Sequence, residues 1–177
     1  MKLINHYRMI KKHRKEVRRL CFKCGLYWQG IIHDLSKYSY IEFSEGVKYF
    51  DGKKSPTAVC RKLTGKSDAW EHHKKKNKHH PEYWINNKEY KLMPYKYAVE
   101  SICDRISACK TYKGIDYTNS DPLQYWNSQK EKGYIINKNI SKFYDIVFED
   151  LKQYGEDKVL NKEYLKSKYY ICCNKNR

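Results

Sequence analysis

Ile31-Ile32-His33-Asp34-Leu35-Ser36-Lys37 is the stretch on which the reading of this chain turns. An imidazole and a carboxylate stand side by side after two β-branched apolar residues, and Lys37 follows about one helical turn after His33. Neighbouring helix positions point about 100° apart, so one of these side chains rarely does the other's job. They can converge on a metal ion between them, His through a ring nitrogen and Asp through an oxygen. A lone His-Asp pair is usually surface. Here it has company: His13, His72, His73, His79 and His80, and Asp104 inside an apolar helical pattern.

Upstream, Ile4, Ile10, His13, Val17, Leu20, Cys21 and Cys24 recur at helical steps, and Gly25 supplies a stop. His13 lies on this apolar stripe. Taken alone it reads as a core histidine; paired with His33 across a helical hairpin it reads as a ligand, with His6 as competitor on the same face. A second helix is expected over residues 26–37, with Trp28, Ile31, Ile32 and Leu35 as its buried side. Ser39 and Glu42 have the spacing of a capping box, so a helix should run on to about residue 50, with Glu42 a cap rather than a ligand. Residues 51–56 read as a loop, and a short helix over 57–63 would turn Arg61 and Lys62 toward a phosphate.

Ser67 or Asp68 caps the next helix, which carries Trp70, His72 and His73. Pro81 ends it at or before His79, so one His pair sits on a helix and the other on its exit loop. The plain alternative is a solvated basic run over residues 74–78 with incidental histidines. The density of His72, His73, His79 and His80 favours ligands, one from each pair, with His73 and His79 preferred and His72 and His80 as alternates. A long helix over 95–112 then buries Ala98, Val99, Ile102, Ile106 and Cys109 and places Asp104 at the edge of that stripe. A carboxylate there needs a metal or a basic partner, because an uncompensated one costs several kcal/mol. Helices over 123–130, 140–154 and 158–171 complete the chain, with Phe143, Val147, Phe148 and Leu151 in the core and Cys172-Cys173 as exposed thiols.

The composition sets the bounds. A chain of 177 residues with 40% hydrophobic content is one domain with a real core, to which 18 Tyr and 4 Trp contribute much area. No run is long enough to cross a membrane, and residues 1–12 lack the apolar block of a signal peptide. Seven Cys without framework spacing fit a reducing compartment, and Cys21 and Cys24 read as core thiols. The net charge of +17 suits a nucleic acid or a polyanionic substrate. Lys, Asn, Tyr and Ile are together abundant, however, and all come from A/T-rich codons, which weakens the charge as evidence of a partner.

His13, the His33-Asp34 pair followed by Lys37, and Asp104 in Ser101-Ile102-Cys103-Asp104-Arg105-Ile106-Ser107 resemble the HD-domain superfamily of metal-dependent phosphohydrolases. The block from Ala69 to Trp84 is similar to an HD-like branch of phages and bacteria. The resemblance covers about residues 5–155, leaving a C-terminal helix and polar tail over 156–177. It implies a single all-α bundle in the cytoplasm of a bacterium or a phage-infected cell. It further implies His13, His33, Asp34 and Asp104 as ligands of a divalent Mn, Fe, Co, Ni or Zn ion. A second ion held by His73 and His79 would be bridged to the first by Asp34. Asp34 and Lys37 become the catalytic pair, with Arg61, Lys62 and Glu82 as substrate contacts. The expected function is hydrolysis of a nucleotide or cyclic nucleotide. The competing readings are a di-iron oxygenase and a module that binds or sequesters a nucleotide or nucleic acid.

Overall fold

Ala98, Val99, Ile102, Cys103 and Ile106 are fully buried along one helix, α6 (Tyr95–Lys113), and the rest of the chain wraps around it. The computed structural model describes residues 1–173; residues 174–177, the end of the expected polar tail, lie outside them. In chain order come α1 (Lys2–Lys23), α2 (Tyr27–Ile32), a 3-10 turn (Leu35–Tyr38), α3 (Tyr40–Lys48), α4 (Pro56–Thr64) and α5 (Asp68–Lys76). A 3-10 turn (Pro81–Trp84) and a short antiparallel hairpin, β1 (Ile85–Asn86) with β2 (Glu89–Tyr90), lead to α6. After a 3-10 turn (Gly114–Asp116) follow α7 (Asp121–Glu131), α8 (Lys138–Tyr154), α9 (Glu156–Val159) and α10 (Lys162–Cys173). The expected all-α single-domain bundle is what the structure shows. The hairpin is an addition, closed by Asn87 and Lys88, both at positive φ as a two-residue turn requires.

One core serves the whole bundle. Val17, Leu20 and Cys21 of α1 meet α6, while Phe143, Tyr144, Val147, Phe148 and Leu151 of α8 pack beside Trp126 of α7 and Leu165 and Tyr169 of α10. The Trp126 and Tyr144 rings meet edge to face at 5.4 Å, an arrangement aromatic quadrupoles favour. Cys172 belongs to this core rather than to an exposed tail, because α10 continues through it and its buried side runs Leu165, Tyr169, Cys172; Cys173 is half-buried. The helix expected over 158–171 is broken at Leu160-Asn161, where the Asn161 side chain accepts from the Tyr164 N–H at 2.9 Å and caps α10.

The largest departure lies at the decisive stretch. The helix expected over 26–37 stops at Ile32, and Asp34 takes the left-handed conformation, φ 55° and ψ 26°, before the 3-10 turn begins. Trp28 is 65% exposed, and Ile31, Ile32 and Leu35 are exposed with it, as is Ile4 on α1. Gln29, Gly30, His33 and Asp34 are buried instead. The cause is the close approach of α2 to α1: a Cβ on Gly30 would stand 3.0 Å from Cys21 Cβ and 3.1 Å from the Phe22 ring. The small face of α2 therefore turns inward. Arg14 of α1 secures the turn, donating through Nε to the His33 carbonyl at 2.8 Å and through Nη2 to the Ile31 carbonyl at 3.1 Å.

Candidate metal centre

Five segments deliver side chains to one point: α1 brings His13, the α2 exit brings His33 and Asp34, α5 brings His73, the loop after it brings His79 and His80, and α6 brings Asp104. Asp34 stands at the middle. Its Oδ2 lies 3.3 Å from His33 Nε2 and 3.6 Å from His13 Nε2, and its Oδ1 lies 3.3 Å from His73 Nε2 and 3.4 Å from His79 Nε2. Asp104 closes the first side, with Oδ1 at 3.0 Å from His13 Nε2 and 3.5 Å from His33 Nε2. Two sets of ligand-type atoms thus share one carboxylate: His13, His33, Asp34 and Asp104, and Asp34, His73, His79 and His80.

The chemistry of these atoms fits metal. Nε2 of His13, His33, His79 and His80 and both oxygens of Asp34 are buried without a hydrogen bond of regular geometry. So many unsatisfied polar atoms in one place would be costly unless an ion satisfied them. The electrostatics point the same way. Burial alone would lower His33, yet Asp34, Asp104 and Glu100 lift its pKa well above the usual value, so positive charge is demanded there. Asp34 sits well below the usual carboxylate range: burial opposes this, but His33, Lys37 and His73 prevail. His80 is pushed well below its usual value by burial and then by His79 and His73, which leaves it neutral with a free lone pair.

A second ring of carboxylates orients the imidazoles. Glu100 Oε1 contacts His33 Nδ1 at 2.9 Å and His79 Nδ1 at 3.2 Å, and Glu42 contacts His73 Nδ1 at 2.6 Å. Burial would raise both acids, but hydrogen bonds from these histidines hold each below the usual glutamate value. An ionised acceptor at Nδ1 holds a proton there and aims Nε2 at the centre, so that an ion binding at Nε2 would have only that atom's proton to displace. Neither acid was expected from sequence. Glu100 stands one turn before Asp104 on the same face of α6, an acidic residue in an apolar pattern, and that spacing was the available signal. The capping box accounts for only part of Glu42. Its backbone N–H does meet Ser39 Oγ, at 3.4 Å, but its carboxylate leaves the box for His72 and His73.

The expected ligands His13, His33, Asp34, Asp104, His73 and His79 are all brought together, and His80 joins them, so the second pair contributes both members. His72 does not. Its Nδ1 is held by Glu42 at 2.7 Å, because it lies about 100° round the helix from His73. His6 belongs to neither group; it is pressed onto Gly46, where a Cβ would clash with its Nε2, beside the Phe43 and Phe50 rings. Burial and then Lys37 lower its pKa to about 4.

A cavity of about 610 Å³ opens from the centre and is lined in part by Asp34, Lys37, Arg61, Trp70 and Glu82. Lys37 Nζ lies 2.7 Å from Asp34 Oδ2. Burial would lower its pKa, but Asp34 and Asp104 raise it, so it stays a cation. The Arg61 guanidinium lies over the Trp70 ring at 4.9 Å. Lys62, the next residue on α4, is outside the cavity, contrary to the sequence expectation, because it lies about 100° round the helix from Arg61, which lines the cavity although exposed. Among the described residues no helix is long and apolar enough to cross a membrane. No curated protein and no solved structure matches the chain. A family of unknown function, DUF5662, matches residues 2–149, which include every residue of the centre, and the chain belongs to that family.

Proposed function

We propose that the chain is a metal-dependent phosphohydrolase acting on a nucleotide or cyclic nucleotide, with two divalent ions of the Mn, Fe, Co, Ni or Zn group. The supporting observation is Asp34, whose two oxygens face different histidine sets. His13, His33 and Asp104 would hold one ion, His73, His79 and His80 the other, and Asp34 would bridge them. Such a pair supplies an acidified water and polarises a phosphoryl oxygen.

The chain's own residues do the rest. Lys37 and Arg61, cations on the cavity wall, bind and orient phosphoryl oxygens. The water oxygen would bond to phosphorus as the bond to the leaving oxygen breaks, and the proton that the water gives up would end on the leaving oxygen. Lys37, kept protonated by Asp34, opposes the charge that develops on the phosphoryl group. Trp70, beside Arg61, offers an apolar face to a base or sugar. Elemental analysis of the purified protein, followed by phosphate release from a nucleotide panel with the metal found, tests this reading. Bound metal with turnover is expected. Nucleotide binding without turnover by metal-loaded protein would instead favour the sequestering module, and iron with a visible to near-infrared band would favour the oxygenase.

A further inference from the structure

Glu82 and Arg105 line the same cavity and are not explained by the metal centre. Glu82 follows His79 and His80 on the 3-10 turn, and its Oε2 is buried without a hydrogen-bond partner. Tyr134 is its neighbour: burial first, and then this carboxylate, push the Tyr134 hydroxyl's pKa up. Arg105, the residue after Asp104, is only 8% exposed. Among the described residues it has no carboxylate within 4.0 Å. Its guanidinium is held instead by the Trp126, Tyr144 and Tyr134 rings, at 5.3, 5.3 and 6.0 Å, and by the Gln129 side-chain oxygen. A half-buried acid and a buried cation therefore sit within each other's field without closing into an ion pair. Arg105 has a structural duty, fastening α6 to α7 and α8. That duty leaves the free oxygen of Glu82 without a purpose.

Building on the nucleotide reading above, we infer that Glu82, Arg105 and Tyr134 form a base subsite selective for guanine. The unpartnered Oε2 is an acceptor, so what satisfies it must offer N–H or O–H groups. Guanine carries N1–H beside the N2 amine, two neighbouring donors, and next to them a carbonyl oxygen that a guanidinium can serve. Adenine and cytosine set a ring nitrogen acceptor beside a single amine, which would face the carboxylate lone pair to lone pair. Uracil offers one N–H between two carbonyls. Tyr125 and Tyr134, on the same wall, supply ring faces for stacking. The rejection is as informative as the attraction, because a buried carboxylate oxygen left without donors disfavours the wrong base.

Calorimetric titration with GMP, IMP and AMP separates the possibilities, done on metal-free and Mn-loaded protein, with phosphate release assayed separately. Wild type should bind GMP at least about tenfold tighter than AMP, with IMP, which lacks only the 2-amine, in between. Glu82→Gln should lose the GMP preference, because its amide presents a donor where guanine also has one. Glu82→Asp keeps the charge and should retain a reduced preference, and circular dichroism checks that each variant folds. Equal affinities in wild type, or an unchanged GMP to AMP ratio in folded Glu82→Gln, would overturn the inference; should that variant not fold, the wild-type ratios decide. GMP-selective binding without phosphate release would remove the hydrolase reading and leave the subsite standing. Equal release from all three nucleotides would do the reverse, and failure of all three to bind would remove both.

Discussion

At the scale of single residues, the centre depends on acids that touch no ligand position themselves. Glu100 serves His33 on one side of Asp34 and His79 on the other, whereas Glu42 serves only His73 among the ligands. Loss of an orienting partner of this kind typically lowers metal affinity about 10–100-fold. Glu100→Gln should therefore weaken both ions, and Glu42→Gln only the ion held by His73, His79 and His80. Titration of each variant with Mn or Zn, following metal per chain, distinguishes them. Equal loss of both ions in Glu42→Gln would contradict the assignment of His73 to one side. These two acids also mark where sequence reading stopped. His13, His33, Asp34 and Asp104 declare themselves by type and order, and His73 and His79 by density. Glu42 sat in a capping pattern that explained it adequately, and Glu100 in an apolar run that gave its carboxylate no visible partner.

At the scale of elements, α2 and α8 give opposite lessons. The spacing of Trp28, Ile31, Ile32 and Leu35 is that of a buried face, yet Gly30 decides the packing by letting α1 come close, and the stripe is left outside. Nothing local marks the turn at Asp34, which reaches positive φ without a Gly or Pro beside it. In α8 the same kind of periodicity holds, because Phe143, Val147 and Leu151 have α6, α7 and α10 to pack against. Urea denaturation should show Phe143→Ala costing about 3–5 kcal/mol and Trp28→Ala no more than about 0.5 kcal/mol; a large loss in Trp28→Ala would mean the stripe is covered. A second element-level prediction concerns acid. Glu16 of α1 and Glu156 of α9 share Arg19 and Lys110 of α6, with Lys110 in direct contact with Glu156. Burial would raise both acids, but hydrogen bonds from these cations leave each below the usual glutamate value of 4.5. Their depressed folded-state pKa means the network stabilises fully above that value and is lost as pH falls through the depressed range. Thermal melts between pH 7 and 3 should show this loss, and Glu16→Gln should flatten part of it. Identical acid limbs would show that the network contributes nothing.

At the scale of the whole molecule, the bundle is a scaffold that holds a polar centre beside its apolar core, with a cavity leading out of it. The cations on that cavity would suit an anionic substrate, and the overall charge of +17 is weaker support, because Lys is also among the residues that A/T-rich codons supply. The central claim is that Asp34 joins two metal sites. Asp34→Asn keeps the shape and removes the charge that both histidine sets face, and in metal-free protein it should lower stability, because it strips Lys37 and His33 of the carboxylate whose depressed pKa marks it as stabilising when ionised. Saturating metal should stabilise wild type by about 2.7 kcal/mol for each ion at 100 times its dissociation constant, and the variant by far less. The most direct measurement is metal per chain by elemental analysis, on wild type and folded Asp34→Asn purified in parallel, with phosphate release from the same preparations. The account predicts about two ions per wild-type chain, loss of both or all but one in the variant, and hydrolysis lower by orders of magnitude. Full metal content and undiminished hydrolysis in Asp34→Asn would contradict it.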